Sequence, residues 1–480
     1  MVKENKSANW SVPDRKSIEK LSQKCSATIF RAYDIRGKTD TDLTPDVAYL
    51  IGRAIGSEAR DRALDIVALG RDCRESSPRI AEALCLGILK SGVNVVDVGL
   101  VPTPILYYAT WRFNTGSGVM VTGSHNPKEY NGLKISLAKE TLSGNQIQGL
   151  LARIRHLQFY EGEGKLSEAK IEEDYVREIK QKSFGHRKKL KVIIDCGNGM
   201  AGTLAPRLVR QFGHEVTELF CEIDGDFPNH HPDPSQPENL KILRNTVIRE
   251  KADLGLAFDG DADRLGVVDK YGEIIWPDRQ LILFARDVLS REPKATIVYD
   301  VKCSRSLRED IEMKGGVAIM SKTGHSFIKE KMKETGALLG GEMSGHIFLK
   351  ERWYGFDDAI YSAVRFLEII SNSKTPIAQL FAALPGGIST QELKLDLDEG
   401  ESAAIIEEIQ ENTFITDGDV STIDGLRIDF KNSWGLVRAS NTTPSLVFRF
   451  EGDDNEALES VKGLFRKILK HTDSSLSLPF

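Results

Sequence analysis

Four domains are expected of this chain, three topologically similar α/β domains followed by an antiparallel α+β domain, and three observations lead there. Its 480 residues, at roughly 150 per domain, call for several domains. Strand-length apolar runs alternate with helix-length stretches, and that alternation restarts twice. Beyond about residue 388 it gives way to short, near-adjacent strands. In the first domain, strands Ile66 to Leu69 and Asn94 to Val98 flank a helix over Pro78 to Lys90, and a third strand, Gly118 to Val121, runs into a polar loop. Ligands gather at such strand ends in open parallel sheets. After the charged stretch Lys165 to Lys191 come strand Val192 to Asp195, a helix through Leu208, and strands Glu215 to Phe220 and Leu254 to Phe258. Strands Thr296 to Tyr299, Val317 to Met320 and Ala337 to Leu339 follow, then an amphipathic helix over Asp357 to Ile370. The last segment reads as Glu392 to Leu397, a helix near Ala403 to Gln410, strands Gly425 to Phe430 and Leu446 to Phe450, and a closing helix. The expected boundaries are a leader over 1–28 and domains over 29–165, 166–276, 277–385 and 386–480, with Pro385-Gly386-Gly387 in the last linker.

Composition narrows the function. Charged residues at 28% against 40% hydrophobic are ordinary for a globular chain, which argues against disorder. With 64 basic and 70 acidic residues the net charge of −6 gives no footprint for nucleic acid. No apolar run approaches the roughly 18 residues a membrane span needs. Six scattered cysteines without a C-x-x-C fit a reducing cytoplasm better than a disulfide framework or zinc site. Residues 1–28 mix charges without an apolar core and read as a mobile leader, not a targeting signal.

Four loops could carry chemistry. Thr122-Gly123-Ser124-His125-Asn126-Pro127 sets a hydroxyl beside an imidazole at a strand end, so Ser124 is a candidate nucleophile or phosphate carrier, although Ser-Asn-Pro is also common turn material. Asp259-Gly260-Asp261-Ala262-Asp263-Arg264 alternates carboxylates with small residues, and carboxylates this close repel unless a cation sits among them. A solvated turn is the other reading. An EF-hand fails, with Arg264 and Lys270 where Gly and Glu belong. Arg438-Ala439-Ser440-Asn441-Thr442-Thr443 supplies donors for a phosphate dianion, or is a polar turn with a surface arginine. Glu342 and Ser344, at i and i+2, point to one side of an extended segment and could grip sugar hydroxyls, or mark a glycine-rich turn.

Two motifs mislead. Gly197-Asn198-Gly199-Met200-Ala201-Gly202 matches G-x-G-x-x-G after a strand, with Glu222 about twenty residues on, as in a dinucleotide site. A nicotinamide site there would leave the other loops without shared purpose. Gly316 to Thr323 is one residue from a P-loop, with Ser321 where the second glycine belongs.

Phe30-Arg31-Ala32-Tyr33-Asp34-Ile35-Arg36-Gly37, the serine loop, the aspartate loop, Gly341 to His346 and the Arg-Ser-Asn-Thr cradle follow one another in an order that resembles the α-D-phosphohexomutase superfamily, in its phosphomannomutase/phosphoglucomutase group, from about Ile29 to the C-terminus. The resemblance implies mixed sheets in the first three domains and a central cleft. It implies reversible phosphoryl transfer between O1 and O6 of a hexose through a hexose 1,6-bisphosphate, with phosphorylated Ser124 as carrier. Mg²⁺ would be held by Ser124, Asp259, Asp261 and Asp263. Arg264 would hold the same phosphate, Arg36, Lys134 and His346 would be candidates for proton transfer or charge stabilisation near the reacting oxygen, and His125 would orient the serine loop. Tyr33, Lys302, His325, Arg438, Ser440, Asn441 and Thr442 would hold the distal phosphate, and Glu342 and Ser344 the sugar O3 and O4. Those hydroxyls do not distinguish mannose from glucose. Thr443, where amino-sugar mutases place Glu, favours neutral sugars over phosphoglucosamine. A non-catalytic sugar-phosphate sensor is the alternative of another class. The expected partner is a small hexose phosphate, with neither nucleic acid nor membrane, in a monomer or dimer.

Overall fold

The structure, a computed structural model, describes residues 10–398, 400–441 and 443–480. Contacts divide the chain into two compact units: Met1–Ile275 with Gly345–Ile377, and Trp276–Ser344 with Ala378–Phe480.

The first unit holds two mixed sheets. In one, Gly118–Val121, Ile66–Arg71, Asn94–Leu100 and Leu166–Glu168 run parallel, while Tyr130–Leu137 lies antiparallel to Gly118–Val121 and Ile35–Lys38 antiparallel to Tyr130–Leu137. The expected strands are present, because Val67, Leu69, Val95, Val119 and Val121 all enter one core. Helix Pro45–Asp61 begins at Thr44, whose Oγ1 accepts from Val47 N, with proline at its first position. The second sheet has Glu215–Leu219, Lys191–Asp195 and Leu254–Phe258 in parallel, then Leu265–Asp269 and Ile274–Ile275 antiparallel. The helix expected through Leu208 is a short 3₁₀ turn, Met200–Thr203, followed by helix Ala205–Gln211. Helix Ala359–Asn372 completes this unit, capped by Asp358, which accepts from Tyr361 N at 2.8 Å.

In the second unit Val317–Ser321, Thr296–Asp300 and Leu339–Gly341 run parallel. An antiparallel sheet follows, in the order Ile388–Ser389, Ser445–Gly452, Ser433–Ala439, Leu426–Asp429, Asp419–Ser421, with Leu393–Asp396 also on Ser445–Gly452. Helices Glu401–Asn412 and Asn455–Thr472 bury Ile409, Phe465 and Leu469 with Ile428, Phe448 and Phe450. This is the expected change to short antiparallel pairing.

One expectation needs correction. Residues 1–9 of the supposed leader lie outside the described residues, but 10–28 are not loose. Helix Arg15–Lys24 turns Ile18 and Leu21 onto the first core, Cys25 is buried, and Trp10 Nε1 donates to Asp46 Oδ1 at 2.7 Å. Spread among charges, those apolar side chains form no continuous run, yet at helical spacing they make one face. No described helix is long and apolar enough to cross a membrane.

Candidate active site

In the first unit the serine loop springs from the strand Gly118–Val121 and is held from behind. Asp72, just past the strand Ile66–Arg71, accepts from Thr122 Oγ1 at 2.8 Å and Gly123 N at 3.0 Å. The buried guanidinium of Arg74 donates to four backbone oxygens of this loop: Ser124 at 2.7 Å, Asn126 at 2.6 Å, Pro127 at 2.7 Å and Tyr130 at 3.2 Å. It lies 5.0 Å from the Phe227 ring centroid. This scaffold holds Ser124 at φ 49°, a left-handed conformation that costs a non-glycine residue about 1–2 kcal/mol. The serine hydroxyl then donates to Asp259 Oδ2 at 2.9 Å and lies 3.2 Å from His125 Nδ1. Burial first, then the charges of Arg264, Arg36 and Lys134, depress the His125 pKa and keep its ring neutral. Arg36 donates to Asn126 Oδ1 and to Asp34, fixing the far side of the loop.

Asp259, Asp261 and Asp263 follow the strand Leu254–Phe258, all fully buried, with carboxylate oxygens within 4.8 Å of one another. Asp259 Oδ1 closes the turn by accepting from Asp263 N at 3.0 Å and Arg264 N at 3.2 Å. Lys134, reaching in from Tyr130–Leu137, donates to Asp261 Oδ2 at 2.6 Å and to Asp263 Oδ2. Burial raises the Asp259 carboxyl, and the charges of Asp263 and Asp261 raise it further. Asp261 also suffers burial, but Lys134 more than offsets it and brings it below the ordinary range. One ammonium therefore bonds two of the three carboxylates, and Asp261 Oδ1 and Asp263 Oδ1 are buried without a hydrogen-bond partner. Clustered, partly unsatisfied carboxylate oxygens are the donor set a hard divalent cation takes. The residues fit such an ion.

Arg264 Nε donates to His346 Nε2 at 3.1 Å. An arginine only donates, so His346 carries its proton on Nδ1, which faces Asp357 Oδ2 at 3.2 Å and Asp263 Oδ1 at 3.6 Å. His346 thus meets Arg264 through its Nε2 lone pair and holds the orientation of that arginine. Tyr33 lies in this unit, close enough for its charge to act on Arg264.

The second unit gathers the remaining residues. Glu342 accepts from Gly324 N at 3.2 Å through Oε1 and from Ser344 Oγ at 2.9 Å through Oε2. His325, buried, opens the helix His325–Thr335 beside that glycine. Asp424 Oδ2 accepts from Arg438 Nε at 2.9 Å and Thr323 N at 3.0 Å, and Asn441 Nδ2 donates to Thr323 O at 3.2 Å. Arg438 Nη2 is buried without a hydrogen-bond partner, an unused donor for an anion. Ser440 N donates to Ser445 O at 2.9 Å, which holds the cradle's turn. Lys302 donates to Glu392 Oε2 at 2.9 Å, and the charges of Glu392 and Asp300 outweigh burial to raise its pKa. Thr442 lies outside the described residues. Glu342, Ser344, His325, Arg438 and Asn441 are thereby linked through Thr323 and Gly324.

Residues 27–161, 173–272 and 276–386 match alpha/beta/alpha domains I, II and III of phosphoglucomutase/phosphomannomutase, and 392–468 match the C-terminal domain of the same family. The chain belongs to the phosphoglucomutase/phosphomannomutase family. That places it in the α-D-phosphohexomutase superfamily. A relative from Pseudomonas aeruginosa, named phosphomannomutase/phosphoglucomutase, is 54% identical over 95% of this chain and 98% of its own length. A phosphoglucomutase from Neisseria gonorrhoeae is 50% identical over 92% of this chain and 96% of its own. Among solved structures, a phosphoglucomutase/phosphomannomutase family protein from Burkholderia thailandensis superposes with a TM-score of 0.90 at 46% identity, covering 95% of this chain and all of that one.

Within this family frame the sequence reading missed the residues behind the loops. Arg74, Asp357 and Asp424 touch candidate residues, and Asp72 and Asp300 touch their loop neighbours, without belonging to the motifs. Asp300 had a usable signal, since it directly follows the expected strand Thr296 to Tyr299, where site residues collect; Asp72 follows the observed strand Ile66–Arg71, which runs two residues past its expected end. Asp300 Oδ1 accepts from Met343 N at 3.1 Å and Oδ2 from Thr323 Oγ1 at 3.0 Å, bracing two loops at once. Asp424 meets Arg438 from a separate turn, for which local sequence carries no cue.

Proposed function

We propose that this chain interconverts hexose 1-phosphates and hexose 6-phosphates, acting on mannose and glucose. Ser124, as a phosphoserine, gives its phosphoryl group to the free hydroxyl of the bound sugar phosphate. The resulting hexose 1,6-bisphosphate turns end for end and returns its other phosphoryl group to Ser124. Each half-reaction makes one P–O bond and breaks one, so no phosphate is consumed. The observation that carries this reading is the Ser124 hydroxyl donating to Asp259 at the edge of three buried carboxylates.

Asp259, Asp261, Asp263 and Ser124 would hold Mg²⁺, which supplies charge stabilisation to the phosphoryl oxygens. Arg264, positioned by His346, and Arg36 add fixed positive charge where negative charge develops. Lys134 screens the carboxylates from one another. Glu342 and Ser344 hold the sugar at O3 and O4, which suits both C2 epimers. Arg438, Ser440, Asn441 and Thr442, with Lys302, His325 and Tyr33, hold the phosphate that is not reacting. Six cysteines without a disulfide suit a reducing cytoplasm.

The test is Ser124→Ala assayed on mannose 1-phosphate and glucose 1-phosphate with added bisphosphate, alongside intact mass of the wild-type protein. Loss of turnover in the variant and a wild-type mass raised by one phosphoryl group support the carrier. Undiminished turnover removes it. Wild-type turnover near zero on both sugars, with phosphate still on Ser124, would favour a sensor.

A further inference from the structure

Of the six cysteines only two have their sulfurs in contact among the described residues. Cys221 Sγ lies 3.3 Å from Cys196 Sγ, with Cys196 fully buried and Cys221 half-buried. Both flank the glycine turn that mimics a dinucleotide motif. Asn198 in that turn donates from its backbone to Phe220 O at 2.7 Å and from Nδ2 to Glu222 O at 2.9 Å, gripping the residues on either side of Cys221. A Cβ on Gly202 would come within 2.1 Å of Cys221 O. The other side of the turn rests on the aspartate loop: Met200 N donates to Gly260 O at 2.9 Å, and a Cβ on Gly199 would meet that oxygen at 2.7 Å. Cys221, the glycine turn and the loop holding Asp259 and Asp261 thus form one contiguous stack.

We infer that Cys196 and Cys221 are a reversible oxidation site whose disulfide displaces the aspartate loop and lowers activity. Hydrogen peroxide is the oxidant. The half-buried Cys221 sulfur attacks one peroxide oxygen, breaking the O–O bond; its proton leaves with the departing oxygen as water, and a sulfenic acid remains. Cys196 sulfur then attacks the Cys221 sulfur, forming S–S and releasing a second water as its own proton leaves. Two thiols are oxidised by two electrons and one peroxide is reduced. Cys196 is fully buried while Cys221 is half-buried, so Cys221 is the sulfur that peroxide meets first. A disulfide needs its sulfurs about 2.05 Å apart, so they must close by more than an ångström. Cys196, just past the strand Lys191–Asp195, donates its N–H to Leu219 O, and its carbonyl accepts from Gly199 N, so the glycine turn is tied to both cysteines. Whichever sulfur moves, the shift therefore reaches that turn.

The effect on activity rests on the mutase reading; the covalent site does not. Full-length protein is treated with excess hydrogen peroxide, mapped by non-reducing peptide mass spectrometry and assayed before and after dithiothreitol. The expected result is a Cys196–Cys221 linked peptide, an activity loss of at least threefold restored by dithiothreitol, and protection in Cys221→Ser and Cys196→Ala. A map without that peptide overturns the site, whatever the assay gives. The linked peptide with full turnover, or equal loss in Cys221→Ser, overturns the coupling. A reduced protein lacking mutase activity would count against the functional reading and leave the map to judge the disulfide.

Discussion

The Arg74 guanidinium donates to the carbonyl oxygen of Ser124 at 2.7 Å, from a side chain 1% exposed that never faces the reacting hydroxyl. Its planar fork reaches four loop carbonyls at once, which an ammonium cannot reproduce. Arg74→Lys is expected to lower kcat at least tenfold with a smaller change in KM, and to lower Tm. Steady-state kinetics with a thermal melt check this; kcat within twofold of wild type would separate the scaffold from turnover.

Lys134 is the only ammonium bonded to the aspartate triad among the described residues, through Asp261 and Asp263. Removing one partner of a buried ion pair costs about 3–5 kcal/mol. Lys134→Met should therefore melt well below wild type in chelator. Added Mg²⁺ should raise its Tm by more than it raises wild type, because the cation relieves repulsion the lysine had relieved. Differential scanning fluorimetry over a Mg²⁺ titration measures both shifts, and equal shifts would contradict the account.

Arg438 has one nitrogen committed to Asp424 and another buried without a partner. A charge-assisted hydrogen bond contributes about 1.5–3 kcal/mol, or roughly 10- to 150-fold in binding. Arg438→Ala should raise KM for hexose 1-phosphate by that order while kcat falls less. A large drop in kcat at unchanged KM would place Arg438 at the chemistry instead.

His214 Nδ1 accepts from Leu190 N at 3.1 Å, so its proton sits on Nε2 and points at His186 Nδ1, 2.6 Å away. Protonating either ring sets N–H against N–H or strips an acceptor. Burial depresses His186 to about 3 and His214 to about 4. Unfolded histidines titrate near 6.5, so between there and about 4 the unfolded chain binds more protons and stability drains away as pH falls. Calorimetry from pH 7 to 4 should show a falling Tm, with a shallower slope in His186→Phe. Parallel slopes would show that the pair is not responsible.

Strand existence was readable in apolar runs such as Gly118–Val121 and Leu254–Phe258, which match the expected limits, but the buried strands Leu265–Asp269 and Ser433–Ala439 were not read. Tyr130–Leu137 was not read as a strand. Its Asn131-Gly132 pair has turn character and Lys134 interrupts its apolar run, yet Lys134 is buried because Asp261 and Asp263 receive it. The same logic hides Arg74, a charged residue that reads as surface until its carbonyl partners are in view. Motif residues were legible because each loop concentrates unusual chemistry. Their supports were not, because each is an ordinary Asp or Arg whose partner lies outside its own loop, 14 residues away for Asp424 and 50 for Arg74.

The turn from Gly197 to Gly202 follows the spacing of a cofactor signature while its missing side chains make room for the protein's own carbonyls, Cys221 O at one end and Gly260 O at the other. Steric rules of this kind record only that something must come close, never what arrives. Any annotation scheme that reads the spacing as a nucleotide fingerprint would assign this enzyme a redox coenzyme on the strength of gaps that its own backbone fills at Gly199 and Gly202.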